Sequence, residues 1–432
     1  MKNINRTIIN LFFLFTNSGG AMSQQQKTPS SVLFIALLAA AASPVFADIT
    51  QSVEDALKFG KDGAVKMDTN YRYEYANQDR GPQKTANANT IRTRLGLLSP
   101  TFHDLQGFVE YEGTHVLQSD YNNGRDNKPG YSTVADPGYN ELNQLWISYA
   151  GIPDTLIKGG RQRIKFDDDR FIGNVGWRQL ETTFDSALIT NNSIKNLAVN
   201  VAYIGNVQSF TATAETVNAP IVNANYNLGD YGNLIGYGYW LDYTQSESFE
   251  KSSQTYGLRF INSAKPKKLY DHYSVLYTAE WSYQEDYKHS SNYQANRFNL
   301  MGGFAAYNVS FQGAMEQLNG SGRNKTFDTP LGTNHAFQGW ADIFLTTPAD
   351  GIRDVFGTVT AKFMDNDSLV LSGIYHDFTD DTGNLHYGQE WDFQAVKKFG
   401  KHYSLLAKYA HYDADRFSTD TQKVWVQGNV NF

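Results

Sequence analysis

Apolar and polar residues alternate with a period of two along most of the chain, in successive segments of about ten residues. The last segment, VWVQGNVNF, sets Val424, Val426, Gly428, Val430 and Phe432 on one face and Lys423, Trp425, Gln427, Asn429 and Asn431 on the other. The segment from about Ala64 to Ala76 repeats this, with Val65, Met67, Tyr71, Tyr73 and Tyr75 opposite Lys66, Asp68, Asn70, Arg72 and Glu74. TIRTRLGLL then sets Ile91, Thr93, Leu95 and Leu97 against Arg92 and Arg94, and the following segment brings Glu110 and Glu112 to the polar side. Strands of this kind suit a wall between lipid and a wet lumen.

Further strands are predicted near 141–150, 155–163, 181–190, 196–205, 219–229, 232–244, 252–263, 270–283, 293–306, 307–318, 352–363, 367–378, 388–399, 401–413 and 423–432. The gaps between them alternate short and long. Short turns at SPTFHD, GIPD, SIKN, GDYGN, NSAKPKK, Tyr307, MDND and FGKH each follow an even-numbered strand. That phase places the short turns and both ends of the barrel in the periplasm. The stretch HAFQGWADIFL at 335–345 breaks the phase if read as a strand, so 319–351 is predicted as a structured loop able to fold into the lumen. The fold class expected is all-β: a transmembrane antiparallel β-barrel of about 18 strands, with long extracellular loops, short periplasmic turns and its first and last strands paired. A barrel this wide is expected to leave an aqueous channel rather than a packed interior.

Composition narrows the alternatives. Aromatic residues make up 14% of the chain and mean hydropathy is −0.48, while beyond the N-terminus no apolar run reaches the roughly 18 residues of a membrane helix. A helical membrane protein is excluded, and aromatic content without hydrophobic blocks suits strands with interfacial Tyr and Trp. The absence of cysteine removes disulfides, thiol nucleophiles and thiolate metal sites. Net charge is −7, so nucleic acid is not an expected partner.

The N-terminus reads as a targeting segment. Lys27 precedes an apolar run from Val32 to Ala42, and Val45-Phe46-Ala47 closes it with a small-residue cleavage pattern. Residues 22–47 are therefore expected to be a signal peptide cleaved near Ala47 after Sec-type export. Residues 1–21 are expected to be an upstream extension from a wrongly chosen start, 48–63 a periplasmic segment, and 64–432 the barrel.

Three phrases carry a family resemblance: GGRQRIKFDDDRFIG at 159–173, WRQLETTFDSALIT at 177–190 and HAFQGWADIFLTTPADGIRD at 335–354. They resemble the alginate-export porins of Gram-negative outer membranes, with Ser186 where the pattern has glycine and Ile343 where it has lysine. The resemblance implies an 18-stranded outer-membrane channel for anionic poly- or oligosaccharides, and relatives in that family extend this to other small anionic solutes. It also implies a monomer. The surrounding partners would be the bilayer with its lipopolysaccharide, and the outer-membrane assembly machinery acting through C-terminal Phe432. Alternatives are a barrel enzyme of lipase or protease type and an adhesive barrel without transport. No G-x-S-x-G or H-E-x-x-H occurs, so no catalytic residues, cofactor or enzyme activity are expected.

Charged rings set selectivity in such a pore. Strand parity points Arg72, Arg92, Arg94, Arg161, Arg163, Arg259, Arg297, Lys362 and Lys408 inward as basic pore-lining candidates. Arginine suits this role because its planar fork grips a carboxylate with two hydrogen bonds. The acidic candidates are Asp68, Glu74, Glu110, Glu112, Asp185, Glu280, Glu390 and Asp392, with Glu316 on the same parity. Phe337, Trp340 and Phe344 are candidate sugar-contact residues in the long loop. Asp167, Asp168 and Asp169 invite a calcium reading, but they lack EF-hand spacing, so no metal is expected.

Overall fold

The computed structural model describes residues 44–432 apart from 80–82, 127, 263–266, 271, 290–291 and 321–324. The start extension, all of the predicted signal peptide before Pro44 and the middle of the NSAKPKK turn lie outside the described residues. Helix α1 (Pro44–Ala56) spans the predicted cleavage point at Ala47. A short strand, Lys58–Phe59, then folds back on the start of the first barrel strand through Lys58↔Ala64 and Phe59↔Gly63.

The 20 segments of the sheet reduce to 18 spanning strands once Lys58–Phe59 is set aside and Lys267–Tyr270 is joined to the strand it continues. In chain order they are β1 (Gly63–Gln78), β2 (Ala86–Leu98), β3 (Leu105–Asp120), β4 (Tyr139–Ile152), β5 (Thr155–Gln162), β6 (Thr183–Ile194), β7 (Leu197–Gln208), β8 (Ala214–Asn227) and β9 (Asn233–Tyr243). They continue as β10 (Ser253–Ile261), β11 (Tyr273–Asp286), β12 (Gln294–Ala306), β13 (Val309–Leu318), β14 (Ile352–Phe363), β15 (Leu369–Thr379), β16 (His386–Phe399), β17 (Tyr403–Ala414) and β18 (Thr421–Asn431).

Each strand pairs antiparallel with the next, and β18 pairs with β1 in a register running from Asp68↔Asn431 to Gln78↔Thr421. Beyond it, Phe432 and Met67 exchange backbone hydrogen bonds of 2.8 and 3.0 Å. Closure matters because lipid offers no partner for a free strand edge. The outer face carries exposed Leu95, Leu97, Leu145, Ile147, Ile189, Val201, Leu258, Leu300 and Val355. Tyr231 and Tyr307, both at short turns, are the amphipathic residues expected at the membrane boundary.

The interior differs from the expected open channel. Three long connections, 121–138, 163–182 and 319–351, carry residues that are buried inside the barrel. Ile164, Phe171, Ile172, Phe327, Leu331 and Phe344 join wall residues Tyr237, Tyr239, Phe378, Tyr412 and Trp425 in one apolar cluster. Full burial of each such side chain contributes roughly 1.5–3 kcal/mol. A barrel of 18 strands is wide enough to leave room in the lumen, and the loops fill part of it with their own core.

Candidate functional site: a charged belt and two infolded loops

Directly paired residues on neighbouring strands share a face. On the inner face the pairings Arg259↔Glu280, Glu316↔Asp354, His376↔Glu390, Lys408↔Trp425, Trp425↔Glu74 and Arg94↔Glu112 trace a belt of charge around the wall. Trp425, an inward residue in an outward-preferring residue class, takes its place in that belt. Arg297 links Glu280 at 3.0 Å to Glu316 at 2.6 Å, and Arg94 pairs with Glu112. A desolvated charge needs this kind of pairing, since one left alone is costly.

The 163–182 connection docks on this belt. Arg163 bridges Glu110 and Glu181, and Arg178 reaches Glu74 at 3.1 Å and Asp342 at 3.2 Å. Asp136, from the 121–138 connection, lies 3.5 Å from Arg72 and accepts the Gln179 backbone N–H at 3.0 Å. Arg170 pairs with Glu316 at 3.2 Å and donates to Gln338 at 3.0 Å, joining the 163–182 and 319–351 connections.

The 319–351 loop is fastened mainly to β16, β17 and β18. The backbone N–H groups of Trp340 and Ala341 donate to Asp392 at 3.2 Å and Glu390 at 2.7 Å. Gly339 makes that approach possible: its φ is 81°, and a Cβ there would stand 2.5 Å from a Glu390 carboxylate oxygen. Lys423 donates to Asp342 at 2.7 Å. The Lys408 ammonium lies 4.4 Å from the ring centroid of Trp177, 3.6 Å from Trp340 and 5.5 Å from Trp425, an aromatic cage for a buried cation.

Electrostatics in the loops follow from these contacts. Burial raises the Asp342 carboxyl, but His335, Lys423 and Arg178 outweigh it and hold the group well below the usual carboxylate range. Burial pushes His335 well below the ordinary imidazole range despite Asp342 beside it, so the ring is neutral. The network assigns its tautomer: Nδ1–H donates to Asp342 at 2.5 Å, and Nε2 accepts from Lys408 at 2.8 Å. Glu181 is likewise held low, against burial, by Arg94 and Arg163.

Among the basic candidates, Arg72, Arg92, Arg94, Arg259, Arg297 and Lys408 are buried on the inner face, each beside at least one partner, while Arg163 sits a third exposed just past β5. Arg161 is a correction. It pairs in register with exposed Leu145 on the outer face, and its partner Asp185, at 2.7 Å, shares that face. Strand β5 ends at Gln162, so Arg163 turns inward with the loop while Arg161 keeps the outer parity. Lys362 keeps inner parity but ends at the periplasmic rim, paired with exposed Asp367 at 3.4 Å, outside the belt.

Asp68, Glu74, Glu110, Glu112, Glu280, Glu316, Glu390 and Asp392 all lie on the inner face. Phe344 is corrected as a sugar contact: it is buried against Phe378, Tyr387, Tyr412 and Phe417 and anchors the loop. Trp340 carries Lys408, and Phe337 lies 4.5 Å from the Arg170 guanidinium. The acidic triplet is spent on protein partners: Asp167 accepts from Asn223 at 2.8 Å, Asp168 meets Arg259 at 2.7 Å, and Asp169 meets Lys165 at 2.9 Å. Residues missed by strand parity are Arg170, Arg178, Asp136, Glu181, His335, Asp342 and Trp177, which sit in loops where a period of two carries no signal. Lys66 has the inward parity expected of it and lies exposed in the lumen outside the set of pore-lining candidates.

Two cavities open on the periplasmic side of the belt. One of about 290 Å³ is lined by Asp68, Arg92, Arg94, Trp177, Arg178 and Asn429, among others. The other, about 470 Å³, is lined by Lys66, Asp68, Arg94, Glu110, Trp146 and Arg163, among others.

A family model described as alginate export matches residues 64–234. No curated protein matches by sequence. In structure the chain is similar to OccAB2 of Acinetobacter baumannii, with a TM-score of 0.66 at 14% identity over 86% of this chain and 98% of that one. It is also similar to OccD3 (OpdP) of Pseudomonas aeruginosa, with a TM-score of 0.65 at 12% identity over 86% and 91% of the two chains. OpdK of Pseudomonas aeruginosa, solved with vanillate, gives a TM-score of 0.64 at 12% identity over 85% and 98%. The chain is thus a closed antiparallel β-barrel with the fold of the outer-membrane porins it resembles, and its residues 64–234 match the alginate export family model.

Proposed function

We propose that this outer-membrane porin-like channel passes small anionic solutes, among them single anionic saccharide units, by passive diffusion. The observation that carries the reading is charge at the two periplasm-side cavities. Together their linings include Lys66, Arg92, Arg94, Arg163 and Arg178 against Asp68 and Glu110, a cationic excess. Size supports a solute rather than a polymer, because the infolded loops and their apolar cluster occupy the middle of the lumen. A fold neighbour solved with vanillate is consistent with a small solute.

Reversal potential across a planar bilayer under a salt gradient tests this. Wild type is expected to favour anions, and Arg92→Ala with Arg94→Ala is expected to shift the potential toward cations, because Asp68 and Glu112 lose their partners. An unchanged potential in the double variant, or a cation-selective wild type, refutes the reading. On the same reading segment 22–47 directs export, the chain works as a monomer among lipids and lipopolysaccharide, and Phe432 is presented to the assembly machinery. N-terminal sequencing of protein from the membrane checks the cleavage point near Ala47.

A further inference from the structure

The 470 Å³ cavity lies between the belt and the periplasmic rim, since its lining includes Leu98 and Gln106, which flank a short turn, and the chain end at Asn431 and Phe432. It has the size of an ordinary small-molecule pocket. Its wall carries two aromatic rings that the loop core does not use. Phe108 and Trp146 are register partners on β3 and β4, and their ring centroids are 5.4 Å apart with a 34° tilt. Both are partly exposed.

The rings are held against the wall. Phe108 leans over Gly96 on β2, where a Cβ would stand 2.5 Å from the ring, so a side chain at that position would push Phe108 off the wall. Lys158 of β5 sits 4.0 Å from the Trp146 ring centroid and fixes that ring from its other neighbour strand. The result is a continuous apolar strip set among polar and charged residues of this part of the inner wall.

Cationic groups border the strip. Lys66 is exposed in the cavity, and no carboxylate pairs with it among the described residues. Arg163 keeps a third of its side chain open to solvent even while paired with Glu110 and Glu181. The amides of Gln106, Gln144 and Asn431 share the lining with Asp68 and Glu110, whose carboxylates are paired with Arg92 and Arg163. The belt arginines are buried in pairs, so Lys66 and Arg163, with the partly exposed Lys158 beside Trp146, hold the accessible positive charge.

We infer that Phe108, Trp146, Lys66 and Arg163 form a periplasm-side binding site for cyclic monocarboxylates, seated apart from the loop constriction. A six-membered ring lays its apolar face on the aromatic strip, its carboxylate turns to Lys66 and Arg163, and hydroxyls meet the amides. A linear anion of the same charge reaches the cations but forfeits the stacking. The site rests on the anionic-solute reading and names the shape of solute that it holds longest.

Single-channel recording with glucuronate, benzoate and open-chain gluconate, each added in turn from the periplasmic side, tests the inference. Glucuronate and benzoate are expected to block at lower concentration than gluconate. Trp146→Leu and Phe108→Leu, which keep bulk but lose the π face, are expected to weaken the cyclic blockers by roughly three- to tenfold and leave gluconate unchanged. Lys66→Gln is expected to weaken all three. Heat-modifiable gel migration of each variant confirms a folded barrel. Equal block by glucuronate and gluconate in wild type, or leucine variants that keep the cyclic preference, overturns the site. A reversal potential without anion preference, with ring-dependent block intact, would instead overturn only the channel-wide anionic reading.

Discussion

The Lys408 ammonium lies 3.6 Å from the ring centroid of Trp340, so a barrel strand and an infolded loop share one desolvated cation. A cation–π contact of this kind contributes about 2 kcal/mol when water is excluded. Trp340→Leu is expected to loosen the loop without opening the barrel. Single-channel traces should become noisier and the loop more sensitive to added protease, with heat-modifiable migration retained. A variant as quiet as wild type would mean that the backbone hydrogen bonds to Glu390 and Asp392 hold the loop by themselves.

Asp342 ties the same loop to Lys423 and, across the lumen, to Arg178. Asp342→Asn leaves both cations short of a charge, and breaking one side of a buried pair costs about 3–5 kcal/mol. The expected outcome is a lower barrel melting temperature on gels together with stronger anion preference. Loss of stability without a selectivity change would place Asp342 out of electrical reach of the permeating ion.

The loop's pH response has two legs with definite signs. His335 has a lowered folded value, so the unfolded loop takes up a proton first; its contribution is full above about pH 6.5 and is lost as pH falls below that. Asp342 also has a lowered folded value, but as an acid: its contribution is present above about pH 4 and is lost as pH falls through the folded value. Loop protection against protease should therefore decline gently below pH 6.5 and steeply below pH 4. His335→Asn should flatten the first leg relative to wild type, and Asp342→Asn the second.

Barrel closure is open to a chemical check because the chain has no cysteine. Tyr73 and Val426 are register partners across the seam of β1 and β18. Oxidation of the Tyr73→Cys, Val426→Cys double variant is expected to link the chain's ends into a denatured species of altered gel mobility that a reductant reverses. Pairing Tyr73→Cys with a cysteine in place of Phe393, on β16, should give none.

Much of the barrel was legible because side-chain alternation is a local property. The outward set Val424 to Phe432, the inward Arg92 and Arg94, and the short turns after even strands all follow from backbone geometry that repeats every two residues. The strand number and the pairing of VWVQGNVNF with the segment from Ala64 to Ala76 follow in turn from the requirement that lipid-facing sheet leave no edge. The inner parity of Lys408 and Trp425 was equally readable.

What the tertiary structure decided is where parity stops and which distant groups meet. Arg161 and Arg163 are alike in sequence, yet β5 ends between them and sends one to the outer face and the other to Glu110 and Glu181. Trp425 faces inward for a reason absent from its own strand: Lys408 and Trp177 wait there. Arg178 meets Asp342, and Arg170 meets Gln338, across more than 160 residues of chain. Such contacts depend on how two loops fill a shared lumen, a matter of volume and charge pairing in three dimensions that no period along the chain encodes.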